Sequence, residues 1–297
     1  MGRIIARFDS VHLVCDVLIN GGGPAGLWTA QALRGSGLTV VLADDQPAFS
    51  GTLKWEPIDA PSLETREVTA RLAADPCFQL LPSTFVTGAY ENNFFTLLQS
   101  VHDGDGVAGE VHWNLRARYV VLASGMIEQP LLFNDNDRPG IMLSSAVHRL
   151  IGEYAVAPAR RIAFYTNNDS AYATALVAHR AGLDVAAIID TRPQQESLLR
   201  PSVQALGIPC HFASEISSTR GYRRLAEVAV RSNDGRMRRI PCDGLGTSGG
   251  WLPSIHLAAH RGVRPQFDES LGGYRCSTLP RGWFAVGGLT APMTCGP

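Results

Sequence analysis

DVLINGGGPAGLWTAQALRGSGLTVVLAD, residues 16–44, opens as a short apolar run, passes through three spaced glycines and closes on a second apolar run. Val17, Leu18 and Ile19 read as a buried parallel strand. Gly21, Gly23 and Gly26 follow at G-x-G-x-x-G spacing, with Pro24 and Ala25 opening a helix. At that spacing the first glycine allows a tight turn and the second lets backbone approach a pyrophosphate. The third lets the helix pack close to the strand, and Ala30 keeps the same contact small. The helix N-terminus directs its unpaired N–H groups at the phosphates. A second strand over 39–43 ends at Asp44 and Asp45, 18 and 19 residues past Gly26, where an acid reaches adenosine ribose hydroxyls. Strand, glycines, helix, strand and acid in register predict a dinucleotide-binding βαβ unit.

The 297 residues are long enough for two domains. Charged residues make up 18%, below the usual ~25%, as suits parallel sheets covered on both faces. A net charge of −1 supplies no basic stripe for nucleic acid or an anionic membrane. No apolar run reaches the ~18 residues of a membrane span, and Arg3, Arg7 and Asp9 break up any signal-peptide pattern. Six scattered cysteines without a C-x-x-C pair read as reduced, mostly buried thiols of a cytoplasmic protein.

Beyond the first unit, 62–74 reads as a helix with Leu63, Val68 and Leu72 on its apolar side. Short β-rich runs fill 78–122, broken by the turn cluster HDGDGVAG. They predict a β-meander inserted before a buried strand at 119–123. Ser144 is placed to cap a helix whose face is Val147, Leu150, Ile151 and Tyr154. A second βαβ unit follows: strand 161–165, helix 170–181 and strand 185–189, ending at Asp190. Its first turn is TNNDSAY, without the glycines. A charged hairpin spans 224–240, and the last strand is 283–286. The predicted fold class is α/β with two Rossmann-like dinucleotide-binding domains and a meander insertion. The first domain takes 1–157 with 246–297, and the second takes 158–245.

This order resembles the two-dinucleotide-binding-domain flavoproteins, the glutathione-reductase-like fold. Three places carry the resemblance: GGGPAG at 21–26, Ala123-Ser124-Gly125 after the buried strand, and FAVGG at 284–288. The family usually has Ala-Thr-Gly at the second place. At the third it usually has Gly-Asp, the Asp binding the flavin ribityl chain, where this sequence has Gly287-Gly288. Within that fold, ADDQPAFSGTL (43–53), NDRPGIM (136–142), TNNDSAY (166–172) and CDGLGTSGGWLPSIHLAAHRG (242–262) resemble the α subunit of heterotetrameric sarcosine oxidase. Ser50 stands where that family commonly has a second glycine before Gly51. The resemblance implies NAD or FAD held by the three glycine motifs, by Asp44, Asp45 and Gln46, and by Gly51 and Thr52. Asn168, Asp169, Ser170 and Asp190 are candidate second-domain or junction contacts. It further implies a hetero-oligomer whose flavin-bearing β subunit carries out oxidation of a small-molecule amine. The family's ferredoxin-like and folate-binding domains are absent from these 297 residues, and a last helix facing the cofactor would normally follow Pro297.

Several patterns compete with that reading. Gly246-x-Ser248-x-Gly250 matches a hydrolase elbow, yet Trp251-Leu252-Pro253 follows where a helix should start. His256 and His260 are four apart, but Leu257 stands where a zincin has Glu, so a structural pair is expected and no metal site. Asn134-Asp135-Asn136-Asp137 lacks the distal Glu of a calcium loop and reads as a turn. Asp169 could cap its helix, and Trp28 reads as packing. No residue offers itself as acid, base or nucleophile, so the catalytic residues are unknown. The expected function is therefore an α-subunit-like component of a sarcosine-oxidase-type amine oxidoreductase. The alternatives are an FAD-binding α subunit of the opine oxidase or hydrogen cyanide synthase type, and a truncated, non-catalytic nucleotide-binding scaffold.

Overall fold

A computed structural model describes residues 7–55, 62–102, 108–193, 197–269, 273–276 and 278–290. The chain divides into two compact units, one of 1–127 with 253–292 and one of 128–252 with 293–297. Residues 128–157 and 246–252 thus fall in the second unit, although the sequence reading assigned them to the first.

In the first unit six strands of a seven-stranded sheet run in the order β3 (Phe78–Leu81), β2 (Val40–Ala43), β1 (Arg7–Asn20), β6 (Ala108–Leu122), β5 (Phe94–His102), β4 (Thr84–Tyr90), and the seventh, Trp283–Ala285, pairs with β6 off this path. The four strands β3, β2, β1 and β6 are mutually parallel, whereas β4, β5 and β6 form the antiparallel meander. β1 is far longer than the apolar run at 17–19. Its first half alternates half-buried Val11 and Leu13 and buried Cys15 with exposed Ser10, His12 and Val14, so only its last third is covered on both faces. β6 likewise joins two expected strands, because exposed Arg116 and Arg118 alternate with buried Leu115 and Ala117 on one continuous pleat. One edge of β6 is divided: residues 108–116 pair with β5, and 120–122 pair with the closing strand Trp283–Ala285. Most of the turn cluster between β5 and β6 lies outside the described residues.

Helices α1 (Pro24–Ala32) and α2 (Ser62–Ala73) cover one sheet face, where Leu27, Ala30, Val68 and Leu72 meet Ile19, Leu42 and Val121. The side chain of Leu63 lies outside the described residues. The other face buries Phe95, Leu97, Trp283, Leu257 and Leu289. Burial of such side chains contributes roughly 1.5–3 kcal/mol each before entropy is subtracted.

The second unit has a five-stranded, wholly parallel sheet ordered 210–211, 184–190, 161–166, 244–248, 141–143. Helices α3 (Ser144–Gly152) and α4 (Ser170–Arg180) lie on one face, with Val147, Tyr172 and Ala175 buried against Ile162 and Phe164. A three-stranded antiparallel layer, 214–220, 227–232 and 237–241, covers the other face through Ile216, Val228 and Ile240. Ser144 does not cap α3. Leu143 holds the cap position, and the Ser144 hydroxyl is buried without a hydrogen bond. Glu128 takes over, its Oε2 accepting the Ser145 N–H at 2.7 Å. Tyr154 lies past the helix end and is exposed. No helix among the described residues is long and apolar enough to cross a membrane. Of the five described cysteines, Cys15 and Cys242 are buried and Cys77, Cys210 and Cys276 are half-buried.

Candidate functional site

In the first unit, the carboxyl ends of β1, β2, β6 and the closing strand gather the glycine motifs at one edge of the sheet, where ligands of open α/β sheets bind. Backbone bonds hold them there: Gly21 N–H to the Ala43 carbonyl at 2.8 Å, Ala123 N–H to Asn20 at 2.8 Å, and Val286 N–H to Leu122 at 3.0 Å. Helix α1 starts from this edge with Gly23 as its cap residue and Pro24 inside its first turn. It has no capping side chain and no acid in that turn. Its first N–H groups therefore have no side-chain acceptor and can serve an anion.

The glycines have different reasons to be glycine. A Cβ on Gly21 would lie 2.4 Å from the Ala123 carbonyl oxygen, one on Gly22 2.1 Å from Phe49 Cδ1, and one on Gly26 1.8 Å from the Gly21 carbonyl oxygen. These three are required by the protein's own packing. Gly23 is not: its nearest neighbour would be Gly51 Cα at 3.8 Å, and its φ of −72° suits any residue. The protein's own packing does not require a bare backbone there. Gly51 in turn approaches Gly23 so closely that its Cβ would stand 2.8 Å from Gly23 Cα.

Asp44 follows β2. Its Oδ2 accepts the Gly22 N–H, and its Oδ1 accepts the Gln46 N–H at 2.8 Å. Burial pushes the carboxyl above its ordinary range, against the opposing pull of those two N–H donors. Each oxygen keeps a lone-pair site that a ribose hydroxyl could use. Asp45 is exposed and accepts from Gln46 Nε2 at 2.8 Å. Thr52 is exposed at the start of a single 3₁₀ turn, Gly51–Trp55. The Ser124 hydroxyl donates to the Ser254 carbonyl at 2.7 Å, while Ser254 N–H donates to Gly125 at 2.9 Å. Gly287 packs on α1, where its Cβ would be 2.7 Å from that of Ala25. Gly288 is covered by Met126, whose Cγ would be 2.8 Å from an added Cβ. Sequence reasoning missed both Met126 and Phe49, because neither belongs to a motif. Trp28, expected in the packing, is 43% exposed.

In the second unit the corresponding edge is occupied by the chain's own polar groups. Asn168 Oδ1 accepts the Ser170 N–H at 3.0 Å, so Asn168 and not Asp169 satisfies the start of α4. Its Nδ2 donates to Ser248 Oγ at 3.0 Å, and the Ser170 and Ser248 hydroxyls are 2.9 Å apart. Trp251 Nε1 donates to Ser170 Oγ at 3.3 Å. Ser248 ends a strand and is followed by an extended segment, so its hydroxyl belongs to this network. Asp190, 1% exposed, accepts from Tyr172 Oη at 2.8 Å and from Arg192 Nη2 at 2.8 Å. Asp169 pairs with the same guanidinium at 2.8 Å. His256 meets Ser254 Oγ at 3.2 Å, whereas His260 Nδ1 accepts the Ala89 N–H at 3.2 Å. Asp135 takes a left-handed turn conformation and pairs with Arg138 at 3.5 Å. Among the described residues, no three His, Cys, Asp or Glu side chains are grouped to hold a metal ion.

No protein-family model matches the chain. It is 31% identical over 93% of its length to the sarcosine oxidase subunit alpha of Rhizobium meliloti (strain 1021), covering 28% of that protein. It is 33% identical over 96% of its length to the sarcosine oxidase subunit alpha of Corynebacterium sp. (strain U-96), covering 31% of that one. Nearly the whole chain is thus similar to part of the sarcosine oxidase alpha subunit. It spans less than a third of the length of these curated relatives. Among solved structures, L-proline dehydrogenase from P. horikoshii matches with a TM-score of 0.68 and 21% identity, over 96% of this chain and 52% of that one. Thioredoxin reductase of T. acidophilum matches with a TM-score of 0.69 and 17% identity, over 94% and 91%. The fold is that of the two-Rossmann-domain flavoproteins.

Proposed function

We propose that this chain is the dinucleotide-holding part of a sarcosine-oxidase-type amine oxidoreductase, with NAD⁺ in the first unit and the oxidising flavin on a partner β subunit. The observation that carries the dinucleotide is Gly23: its backbone is bare with nothing of the protein's own to require it. In this reading the first N–H groups of α1 hold the pyrophosphate, Asp44 and Asp45 hold the adenosine ribose, and Gly51 and Thr52 border it. Ala123, Ser124, Gly125, Gly287 and Gly288 line the way to the second half of the ligand. Met126 over Gly288 favours NAD⁺ over FAD there, since no carboxylate meets a ribityl chain and a thioether fills its space. A dinucleotide bound there supplies redox chemistry or structural support, while the chain's residues bind and orient it. The polar side chains at the start of α4 are committed to one another, which supports a single dinucleotide site.

Two measurements test the reading. Calorimetric titration should show NAD⁺ binding to the purified chain, and the absorbance spectrum should lack the flavin band near ~450 nm. Peroxide release from sarcosine should require co-expression with a flavin-bearing β subunit. Peroxide from the chain with FAD alone would place the oxidation here, and absence of NAD⁺ binding would remove the dinucleotide assignment.

A further inference from the structure

At the end of the meander where Phe94 pairs with Arg116, the hairpin joining β4 to β5 borders a cavity of about 580 Å³, lined by Tyr90, Glu91, Phe94, Arg116, His260 and Arg261. The local sequence GAYENNFF shapes it. A Cβ on Gly88 would lie 2.7 Å from the Tyr90 hydroxyl, so only a bare backbone seats that ring, and the pairing of β4 with β5 shifts register beside it. Asn92 and Asn93 both take left-handed conformations, at φ 56° and 49°, an uncommon pair for non-glycine residues. Asn93 is held by the Arg118 carbonyl at 3.3 Å and by Trp283 Nε1 at 2.9 Å, which pins the hairpin tip.

The groups facing this space are complementary to one kind of ligand. The rings of Tyr90 and Phe94 have centroids 5.8 Å apart, and Tyr90 is 51% exposed. The Arg116 guanidinium lies 5.4 Å from the Phe94 centroid. Because His260 Nδ1 accepts the Ala89 N–H, its neutral ring carries hydrogen on Nε2 and can donate. Among the described residues, neither Arg116 nor Arg261 is ion-paired with a carboxylate, and Glu91 is the one acid of the lining. We infer that this cavity binds a flat aromatic anion, its ring against Tyr90 and Phe94 and its phosphate or carboxylate on Arg116, Arg261 and His260. Cation–π and charge-assisted contacts reinforce each other in such a site.

The test uses 1-naphthyl phosphate as probe, with 1-naphthol and inorganic phosphate as the neutral and ringless controls. Titration followed by amide NMR shifts should saturate for 1-naphthyl phosphate, with shifts centred on Ala89, Phe94 and His260 and not on Gly23 to Gly26. The double substitution Arg116→Ala with Arg261→Ala should weaken it by roughly tenfold or more, the loss of two charge-assisted contacts. Tyr90→Leu, which leaves both guanidiniums in place, should weaken it several-fold, and thermal melts check that each variant is folded. Unchanged affinity in the folded double variant would overturn the inference. So would inorganic phosphate binding as tightly as the probe, which would mark an adventitious ion only, or shifts confined to the glycine turn.

Discussion

The side chain of Met126 lies over Gly288, so that a Cβ built on the glycine would stand 2.8 Å from Met126 Cγ and 3.2 Å from Sδ. The aspartate that related flavoproteins commonly carry at this place cannot enter while the methionine holds it. Gly288→Asp alone should therefore destabilise the protein by roughly 1–3 kcal/mol through overpacking. Adding Met126→Ala should recover part of that loss and raise FAD affinity. Urea midpoints and flavin absorbance check both effects, and equal midpoints for the single and double variants would show that the two residues do not compete for space.

Gly23 and Gly26 should separate ligand binding from folding. A Cβ on Gly23 comes no closer than 3.8 Å to a protein atom, so Gly23→Val should stay near the melting temperature of the parent while abolishing NAD⁺ binding. Gly26→Ala drives a methyl to within 1.8 Å of the Gly21 carbonyl oxygen. It should cost roughly 1–3 kcal/mol or more, outweighing the up to ~1 kcal/mol that alanine gains in a helix. Calorimetry with thermal melting distinguishes them. A Gly23→Val protein that retains NAD⁺ would remove the pyrophosphate from this turn.

Asp44 and Asp45 should divide selectivity and stability between them. Both carboxylates disfavour a 2′-phosphate, so NADP⁺ should bind at least about tenfold more weakly than NAD⁺, or about 1.4 kcal/mol. Asp44→Asn leaves one of two main-chain N–H groups facing an amide NH₂ and should cost roughly 1–3 kcal/mol. Exposed Asp45→Asn should stay within about 0.5 kcal/mol. Comparable affinity for NADP⁺ in a competition titration would sink the ribose assignment.

Glu128 gives the second unit a pH dependence. The residue is 4% exposed, and burial raises its carboxyl above the ordinary range despite hydrogen bonds from Ser145 and Ser248. A folded-state value above the unfolded one means the folded protein holds the proton longer. The contribution to stability is then complete below the ordinary carboxyl range and is lost as pH rises through the raised value. Asp44 shifts in the same direction in the first unit. Glu128→Gln keeps an acceptor for the Ser145 N–H and should flatten part of the decline. Denaturant midpoints measured across mildly acidic to neutral pH would show parallel curves for both proteins if Glu128 ionised normally.

Arg192 should be more costly to remove than any exposed arginine. It meets Asp190 and Asp169, each at 2.8 Å, and the Asp190 side chain is 2% exposed against 18% for Arg192. Arg192→Ala leaves that carboxylate buried with only the Tyr172 hydroxyl and the main-chain N–H of position 192 to answer it. The loss should be roughly 2–4 kcal/mol, below the upper range for fully buried pairs because Arg192 retains some contact with water. Arg231→Ala, which breaks an exposed pair with Glu215, should lose less than about 1 kcal/mol. Equal melting temperatures for the two variants would contradict this ranking.

The βαβ units, the glycine turn with Asp44 after it, and the meander were legible in the sequence because their signals are local. An apolar run, a glycine three residues on, or an Asn-Asp-Gly turn restricts its own backbone whatever surrounds it. The length of β1 was not legible. Its first half carries the alternating pattern of a strand covered on one face, and nothing nearby says that β6 will pair with it for 13 residues. The resemblance to flavoproteins pointed to Gly288 as an empty position, but only the folded chain places Met126 in it. Ser144 looked like a cap, yet the helix start is satisfied by Glu128, 17 residues earlier. Asp190 was a candidate second-domain or junction contact, and the folded chain has it held by Arg192 and Tyr172. What the sequence by itself determined was each segment's backbone preference and its apolar face, since those depend on neighbours along the chain. The tertiary structure alone decided which polar group answers which, and where space remains for a ligand, since those depend on side chains that meet only after the sheets have closed.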